Sequence, residues 1–364
     1  MKFLIRLLLL VVILYALSPF WRGPASQYID VSWLDPIDAQ MAEWWDDLKA
    51  NPYVKEIAND LRNETTEIKE KIPAPTLEKP DTELFAVNNI QLGDSEDDVI
   101  SLYGKPDRIS MNEYKQSWYT YHQDYQHFFM LTYDAEKKVN GFYTNQDLLS
   151  SKDGIKWKSS KESIRTLYGE PLKSIRKGLV SYIISNEDID TYLLDGQYVT
   201  FFYDKHANNE LTAIQVLSES MEMKKEENYA APNPTLEEAF AVQLFDLTNA
   251  ERVSHGLSVL EWSTTAAKSA VLHSSDMAKN NYFAHENLSG QSPFDRMEAQ
   301  GLRFRLAGEN LAYGQNSSIF AHEGLMNSLG HRENILLADY TNLGVGVDIN
   351  DKKQPYYTEN FFGK

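Results

Sequence analysis

The residues of this chain best suited to chemistry lie between positions 285 and 334. That stretch holds His285, the Glu309-Asn310 pair after Gly308, the His322-Glu323 pair, and His331 after Gly330. Three of the eight histidines fall there. Neutral imidazoles and carboxylates gathered in one region are what a divalent cation or a general acid/base pair requires. Several familiar chemistries fail on spacing. A zincin helix reading HExxH from His322 would need histidine at position 326, where Met326 stands. A nucleophile elbow around Ser328 would need glycine at that same position. The chain has no cysteine, which removes thiol nucleophiles, disulfides and thiolate metal sites. Any metal must be held by nitrogen and oxygen. Glu309 and Glu323 would have to form a glycosidase-type carboxylate pair, and nothing in their spacing sets them face to face. His255 reads as a cation at a helix C-terminus, and His273, inside a helical run, as a packed or loop-bracing residue.

The elements that must position these groups can be read around them. Thr235 suits a helix N-cap, with Glu238 in capping-box position. Leu236, Phe240, Val242, Leu244, Phe245 and Leu247 face inward on a helix ending near 254–256. A second helix is expected over 263–280, with Ala267, Ala270, Val271, Ser274 and Met277 on one face. A third starts at Ser292-Pro293 and a fourth covers 319–328. LGVGVDI and PYYTENFFG read as strands. Helices flanking a few strands over 236–364 predict a small α-β-α sandwich.

Upstream, residues 83–221 contain an internal repeat. Tyr103-Gly104 and Pro106 recur as Tyr168-Gly169 and Pro171, with Ser95 and Ser160 as matching N-caps. Val99/Leu102 and Ile164/Leu167 would be the apolar faces of the two helices. Glycine stops each helix, proline prevents its continuation, and alternating aromatic runs follow as antiparallel strands. The shared YGxP signature therefore has backbone duties. Residues 222–235, charged and then Pro/Asn-rich, read as a linker. Residues 22–82 read as a helical stalk, with helical spacing over 36–72 broken at Asn51-Pro52. A stiff Pro-rich spacer over 71–81 follows.

Lys2 and Arg6 ahead of an apolar run form an export signal. Residues 1–21 are just long enough to cross a bilayer, and no A-x-A-like cleavage site follows. A retained signal anchor is expected, with secretion after cleavage as the alternative. The positive-inside rule then places everything after Trp21 outside the cell membrane. The chain has 364 residues, 42% hydrophobic and 24% charged, which suits two folded domains with extensions. Its formal net charge of −18 disfavours nucleic acid and electrostatic docking on anionic lipid. Export without disulfides suits a Gram-positive bacterium.

The runs LTNAERVSHGLSVLEW, YFAHENLSGQSPFDRM, GENLAYG, MNSLGHRENIL, YTNLGVGV and YYTENFF together resemble the CAP superfamily. That is the group of cysteine-rich secretory, antigen 5 and pathogenesis-related 1 proteins with SCP-like domains. The repeat region is similar to the CAP-associated N-terminal module of membrane-tethered bacterial proteins. The fold implied is α+β: an N-terminal transmembrane anchor, a duplicated helix-plus-antiparallel-strands domain, and a C-terminal α-β-α sandwich. The resemblance also implies a cleft with two histidines and two acids, able in several members to hold zinc or another divalent cation. His285 in AHEN, Glu309 in GEN and His331 in GHREN match three of the four. Ser328 stands where the eukaryotic pattern has its second acid. Glu323, five residues earlier and about 140° round a helix, is a possible substitute. Asn287 and Asn310 read as outer-sphere or loop-bracing residues.

Two histidines and one carboxylate with an open position for water would make a catalytic-type zinc site. The plainer reading is that the histidines cap and cross-link loops around a buried Glu309. Three functions remain open. The first, and favoured, is a membrane-tethered extracellular module whose cleft binds a divalent cation with a small ligand, peptide or cell-envelope component. The second is a metal-assisted hydrolase of peptides or cell wall, with Glu309, His331 and His285 as its catalytic candidates. The third is a non-catalytic scaffold read through the repeat domain.

Overall fold

The computed structural model describes residues 71–364; the expected anchor, and the stalk as far as residue 70, lie outside the described residues. Among the described residues no helix is long and apolar enough to cross a membrane. The Pro-rich stretch 71–81 lies along the first domain. There Asn89 accepts the Glu78 N–H at 2.8 Å and donates to the Thr76 carbonyl at 2.9 Å.

The first copy of the repeat comprises β1 (Phe85–Val87), α1 (Glu96–Tyr103), β2 (Arg108–Met111), β3 (Ser117–Gln123), β4 (Gln126–Tyr133), β5 (Val139–Thr144) and β6 (Leu149–Ser151). The second comprises α2 (Lys161–Tyr168), β7 (Ser174–Lys177), β8 (Val180–Ile183), β9 (Ile189–Leu194), β10 (Gln197–Asp204) and β11 (Glu210–Ser218). Ser95 and Ser160 cap the two helices by accepting the Asp98 and Ser163 N–H groups. Each helix stops at a glycine with positive φ, Gly104 at 78° and Gly169 at 79°. The expected apolar faces are half right. Val99 and Ile164 are buried, but Leu102 is 74% exposed and Leu167 47%. The signature tyrosines take the inner positions instead, Tyr103 against Phe129 and Tyr168 against Phe201. In helices this short, the i, i+4 pair faces inward and the residue before it turns out. Ser160→Ala is expected to cost about 1 kcal/mol of stability, read by urea unfolding, because the Ser163 N–H loses its only side-chain acceptor.

Seven strands form one antiparallel sheet, ordered β2-β3-β4-β5-β11-β10-β9. Its centre is the β5·β11 pair, in which Phe142 opposes Val216 and Thr144 opposes Ile214. The duplication thereby becomes a pseudo-two-fold arrangement: β3-β4-β5 on one side, β9-β10-β11 on the other. The copies part company after their helices. β2 joins the sheet beside β3, whereas β7 leaves it to pair with β8 in a separate hairpin. One sheet face carries Phe129, Phe142, Phe201 and Val216 and is covered by the α1/α2 side. The other carries Trp118, Phe128, Met130, Tyr143 and Phe202 and meets the C-terminal domain.

That domain follows α3 (Glu219–Lys224) and contains α4 (Pro234–Ser254), β12 (Glu261–Trp262), α5 (Thr264–Asn280), α6 (Pro293–Ala299), β13 (Leu306–Tyr313), α7 (Ser318–Met326), α8 (Leu329–Ile335), β14 (Asn342–Ile349) and β15 (Pro355–Gly363). Two boundaries and one strand differ from expectation. α4 is capped by Asn233, which accepts the Thr235 N–H, and Pro234 fills the first helical position where no N–H is needed. The helix expected over 319–328 ends at Met326, and Ser328 stands at the N-cap position of α8. β13 is a strand that the local sequence does not announce. Gly308, Glu309 and Asn310 have poor strand propensity, and full pairing of 306–313 with β15 overrides it.

The sheet order is β12-β14-β15-β13. Alternation along β14 sends Leu343, Val345 and Val347 into the cluster built with α4. Gly344 and Gly346 point the other way and let α5 rest directly on the strand. α4 itself lies between two sheets. Phe240 and Leu244 pack toward the C-terminal sheet, while Leu247 and Ala250 pack against Trp118 and Phe128 of the repeat. Such a position buries the helix on nearly all sides, its polar Gln243, Asp246, Thr248, Asn249 and Arg252 included. Polar bonds cross the same boundary: Arg108 to Asp246 at 2.6 Å, Gln243 to the Ser110 hydroxyl at 2.9 Å, and Asn327 to the Tyr203 carbonyl at 2.7 Å. The stretch 222–235 is anchored too, with Glu222 buried and paired to Lys177 at 2.6 Å.

Candidate functional site

β13 is the edge strand of the C-terminal sheet, and its Glu309 and Asn310 point to opposite faces. Glu309 is the buried centre. Its Oε1 meets His285 Nδ1 at 2.9 Å, and its Oε2 accepts from the Arg296 guanidinium at 2.5 Å. Asn360 adds a third contact once its amide is turned to the orientation that satisfies both ends, with the nitrogen 3.2 Å from Glu309 Oε2 and the oxygen 3.2 Å from the Ala270 N–H. Arg296, buried on α6, also donates to the His285 and Gln291 carbonyls at 2.6 and 3.0 Å. One guanidinium thus neutralises the carboxylate and fixes the loop that carries His285. Within that loop Asn287 braces the turn by accepting the Ser289 and Gln291 N–H groups.

On the other face, Asn310 donates to the His331 carbonyl at 3.1 Å and to Glu359 Oε2 at 3.0 Å. Glu359 is fully buried and also accepts from Thr248 of α4 at 2.8 Å. Burial pushes its carboxyl above the ordinary range despite those two donors. Asn334 closes the network by donating to Asn310 Oδ1 at 2.9 Å. Gly308 makes room for it, since a Cβ there would stand 2.2 Å from the Tyr340 hydroxyl.

His331 lies at the start of α8 with Nδ1 2.7 Å from the Ser328 hydroxyl. Burial, with a smaller contribution from the His285 charge, pushes its pKa down, so the ring is neutral at neutral pH. Each imidazole is held through Nδ1, and neither Nε2 has a hydrogen-bond partner among the described residues. His285 is 56% exposed at its side chain, and exposed Phe283, Leu288, Tyr313 and Leu329 lie close by in sequence or in ring contact.

The structure brings His285, Glu309, Asn310, Ser328 and His331 into one region and leaves Glu323 out of it. Glu323 turns into the boundary between the domains, where its Oε1 accepts from the Tyr143 hydroxyl at 2.5 Å. The cause is helical phase: α7 ends before Ser328, so the two positions do not share a helix face. Among the described residues, no group of three or more His, Asp or Glu converges as a ready cation cage. His273 is buried and bonds the Ala284 carbonyl at 2.9 Å, a brace for the strand-free segment leading to His285. His255 caps the end of α4 beside Glu251. Two residues of the site, Arg296 and Glu359, escape a reading of the sequence alone. Glu359 carries a signal: alternation in PYYTENFFG puts it between Tyr357 and Phe361 on a buried face. Arg296 carries none, because only the tertiary fold brings it to Glu309.

Comparison with known proteins agrees with this architecture. The profile described as CAP-associated N-terminal matches residues 92–228, and that of the Cysteine-rich secretory protein family matches 245–361. The chain is 33% identical over 289 residues to the uncharacterized membrane protein YlbC of Bacillus subtilis, covering 74% of this chain and 82% of that one. It is 39% identical over 137 residues to the uncharacterized protein YkwD of the same organism, covering 38% of this chain and 52% of that one. Among solved structures, an extracellular protein containing a SCP domain from Bacillus anthracis superposes with a TM-score of 0.65 at 25% identity, covering 82% of this chain and 100% of the other. A cysteine-rich secretory protein from Staphylococcus aureus shares the fold, with a TM-score of 0.60 at 15% identity and coverage of 79% and 100%. The chain therefore belongs to the CAP, or cysteine-rich secretory protein, family, in the form that carries a CAP-associated N-terminal domain.

Proposed function

We propose that this protein is a membrane-tethered extracellular binding module whose CAP cleft takes a small apolar or peptide ligand, with His285 and His331 able to add a divalent cation. The membrane name of YlbC and the extracellular SCP-domain relative support the location. So does the export signal at the N-terminus. The observation that carries the binding role is the pair of imidazoles held by Nδ1 with Nε2 left over, beside exposed apolar side chains. A carboxylate holding the far nitrogen of an imidazole is the usual outer partner of a metal-ligating histidine. Glu309 then orients His285, and Ser328 orients His331. Zinc held there would polarise a bound carbonyl or carboxylate. Binding is favoured over hydrolysis because both oxygens of Glu309, the carboxylate that holds His285, are already engaged.

The test is zinc titration of the full-length chain beside His285→Ala/His331→Ala. The expected outcome is one site per chain in the wild type, weakened at least tenfold in the variant, with unchanged circular dichroism. Equal affinity in both proteins would retire the cation part of the reading. Saturable binding of apolar peptides that also persists in a Phe283→Ala/Leu288→Ala variant would retire the apolar-ligand part.

A further inference from the structure

The two most exposed large apolar side chains among the described residues, Leu179 at 96% and Ile183 at 81%, both lie on the β7-β8 hairpin. Its strands pair only with each other, as a two-stranded sheet. Lys177 and Val180 close the pairing, so the turn is Gly178-Leu179, with Gly178 at a φ of 60°. One face of the hairpin is held down. Ile175 and Lys177 are buried, and the Lys177 ammonium donates to the Glu222 and Lys225 carbonyls at 2.5 and 2.6 Å besides pairing with the Glu222 carboxylate. The tip and the other face are uncovered, where Leu179 and Ile183 are joined by Val180 at 51% exposure.

An edge strand with uncovered apolar residues is a liability in water, and such a patch marks a surface that something else covers. Charge says what covers this one. Between Pro171 and Asn186 there are three cations, Lys173, Arg176 and Lys177, and no acidic residue, in a chain whose net charge is −18. Lys177 is engaged by Glu222, whereas Lys173 and Arg176 are exposed and have no ion pair among the described residues. The next acids along the chain, Glu170 and Glu187, flank the base of the hairpin. Four residues of strand separate that base from the tip, about 13 Å, and charges are largely screened beyond about 8 Å at physiological ionic strength. The tip therefore carries a local positive field on an acidic protein. Apolar side chains beside unpaired cations complement a layer that is anionic at its surface and apolar beneath, which is the headgroup region of a bilayer. The shape agrees, since a tight turn with leucine at its apex is convex and suits entry into a soft layer.

We infer that the β7-β8 hairpin dips into an anionic lipid bilayer. Leu179 and Val180 reach the acyl boundary, about 5–10 Å deep, while Ile183 rests among the headgroups and Arg176 meets their phosphates. This contact rests on the tether of the proposed function, which holds the hairpin at high effective concentration beside the membrane. A second attachment fixes which way the folded domains face, and with them the CAP cleft. It also gives the broken duplication a use: β2 stays in the sheet beside β3, whereas its counterpart β7 leaves to build the contact.

Because the chain has no cysteine, a single one introduced by substitution reports its own position. Ser181→Cys is exposed and lies opposite Arg176 in the hairpin. Leu102→Cys is the control, at a 74% exposed position on α1 whose first turn is acidic. Each full-length chain carries a fluorophore on its cysteine and is reconstituted into vesicles of phosphatidylcholine and phosphatidylglycerol. Spin-labelled lipid should quench the label at 181 by about half and leave the label at 102 nearly untouched. Quenching at 181 should weaken about twofold in vesicles of phosphatidylcholine alone. Adding Leu179→Asp to Ser181→Cys should abolish it with an unchanged unfolding midpoint, since Leu179 touches little in the folded protein. Equal quenching at 181 and 102 in chains that float with the vesicles would overturn the contact and leave the tether standing. Chains that do not float would retire both. A label at 181 shielded from an aqueous quencher yet untouched by spin-labelled lipid would put a second copy of the chain on the hairpin, and would overturn the contact as well.

Discussion

Gly346→Ala is expected to destabilise the protein by about 3 kcal/mol or more, or about 10 °C in unfolding midpoint for a domain of this size. The added Cβ would stand 2.0 Å from the Val271 backbone nitrogen and 2.3 Å from the Ala270 carbonyl carbon. These are main-chain atoms of α5, so no rotamer change relieves the overlap; the helix must lift from β14. Gly344 meets α5 one turn earlier, 2.1 Å from the Ala267 nitrogen, and the two glycines together set the helix height. Lifting α5 would also pull Ser274 from Thr358 and the Gly346 carbonyl, bonds of 2.8 and 3.0 Å in the buried layer. His285 follows α5 in the chain, so its placement beside Glu309 depends on the same seating. Gly324→Ala is the matched control: the same substitution, with open space around it, neutral or slightly stabilising. Equal unfolding midpoints for Gly346→Ala and wild type would show that α5 does not rest on β14 as described.

The reason these glycines can be read as strand residues but not as a seating surface shows where sequence reasoning stops. LGVGVDI alternates visibly, and a period of two is local information. That the glycine side receives Ala266, Ala267 and Ala270 depends on a pairing between segments far apart in the chain. The same division runs through the site. His285 and His331 stand out because histidine is scarce in this chain, and Glu309 because it falls in the same stretch. Glu323 looks equivalent to them on type and position alone, yet α7 carries it toward Tyr143. The repeat is legible from its turn residues, since glycine and proline at fixed offsets report backbone geometry. The broken symmetry of β7 and β8 is not, because SIRK and VSYI read as strands whether they join the main sheet or leave it. The burial of α4 between two sheets has a practical consequence. A fragment starting at 236 would expose the Leu247 and Ala250 face that Trp118 and Phe128 cover, so binding experiments belong on the whole chain.

Between pH 5 and pH 8 the wild type is expected to lose about 2–3 kcal/mol of stability that Glu323→Gln does not lose. Burial at the domain boundary pushes the Glu323 carboxyl up to about 7 from an ordinary 4.5, only partly offset by His322 and the Tyr143 hydroxyl. A carboxyl with a raised folded-state pKa is most favourable while protonated. Its contribution is full below about 4.5 and is lost as pH rises through about 7, at roughly 1.4 kcal/mol for each pH unit crossed between those two values. His322 acts in the same direction. Burial opposes its charge, yet Glu251 and Glu323 outweigh that and raise its pKa, so its share also fades as pH rises. Its Nε2 stands 3.9 Å from Glu251 Oε2, too long for a hydrogen bond but close enough for charge attraction in a buried setting. Glutamine at 323 keeps an oxygen for the Tyr143 hydroxyl and cannot ionise. Urea unfolding of both proteins at pH 5, 6.5 and 8 reads the difference directly: it should move in the variant's favour by about 2–3 kcal/mol from the first pH to the last. A difference that stays constant across that range would mean that Glu323 is not buried against the repeat domain. The two domains would then not be joined through the Tyr143 face.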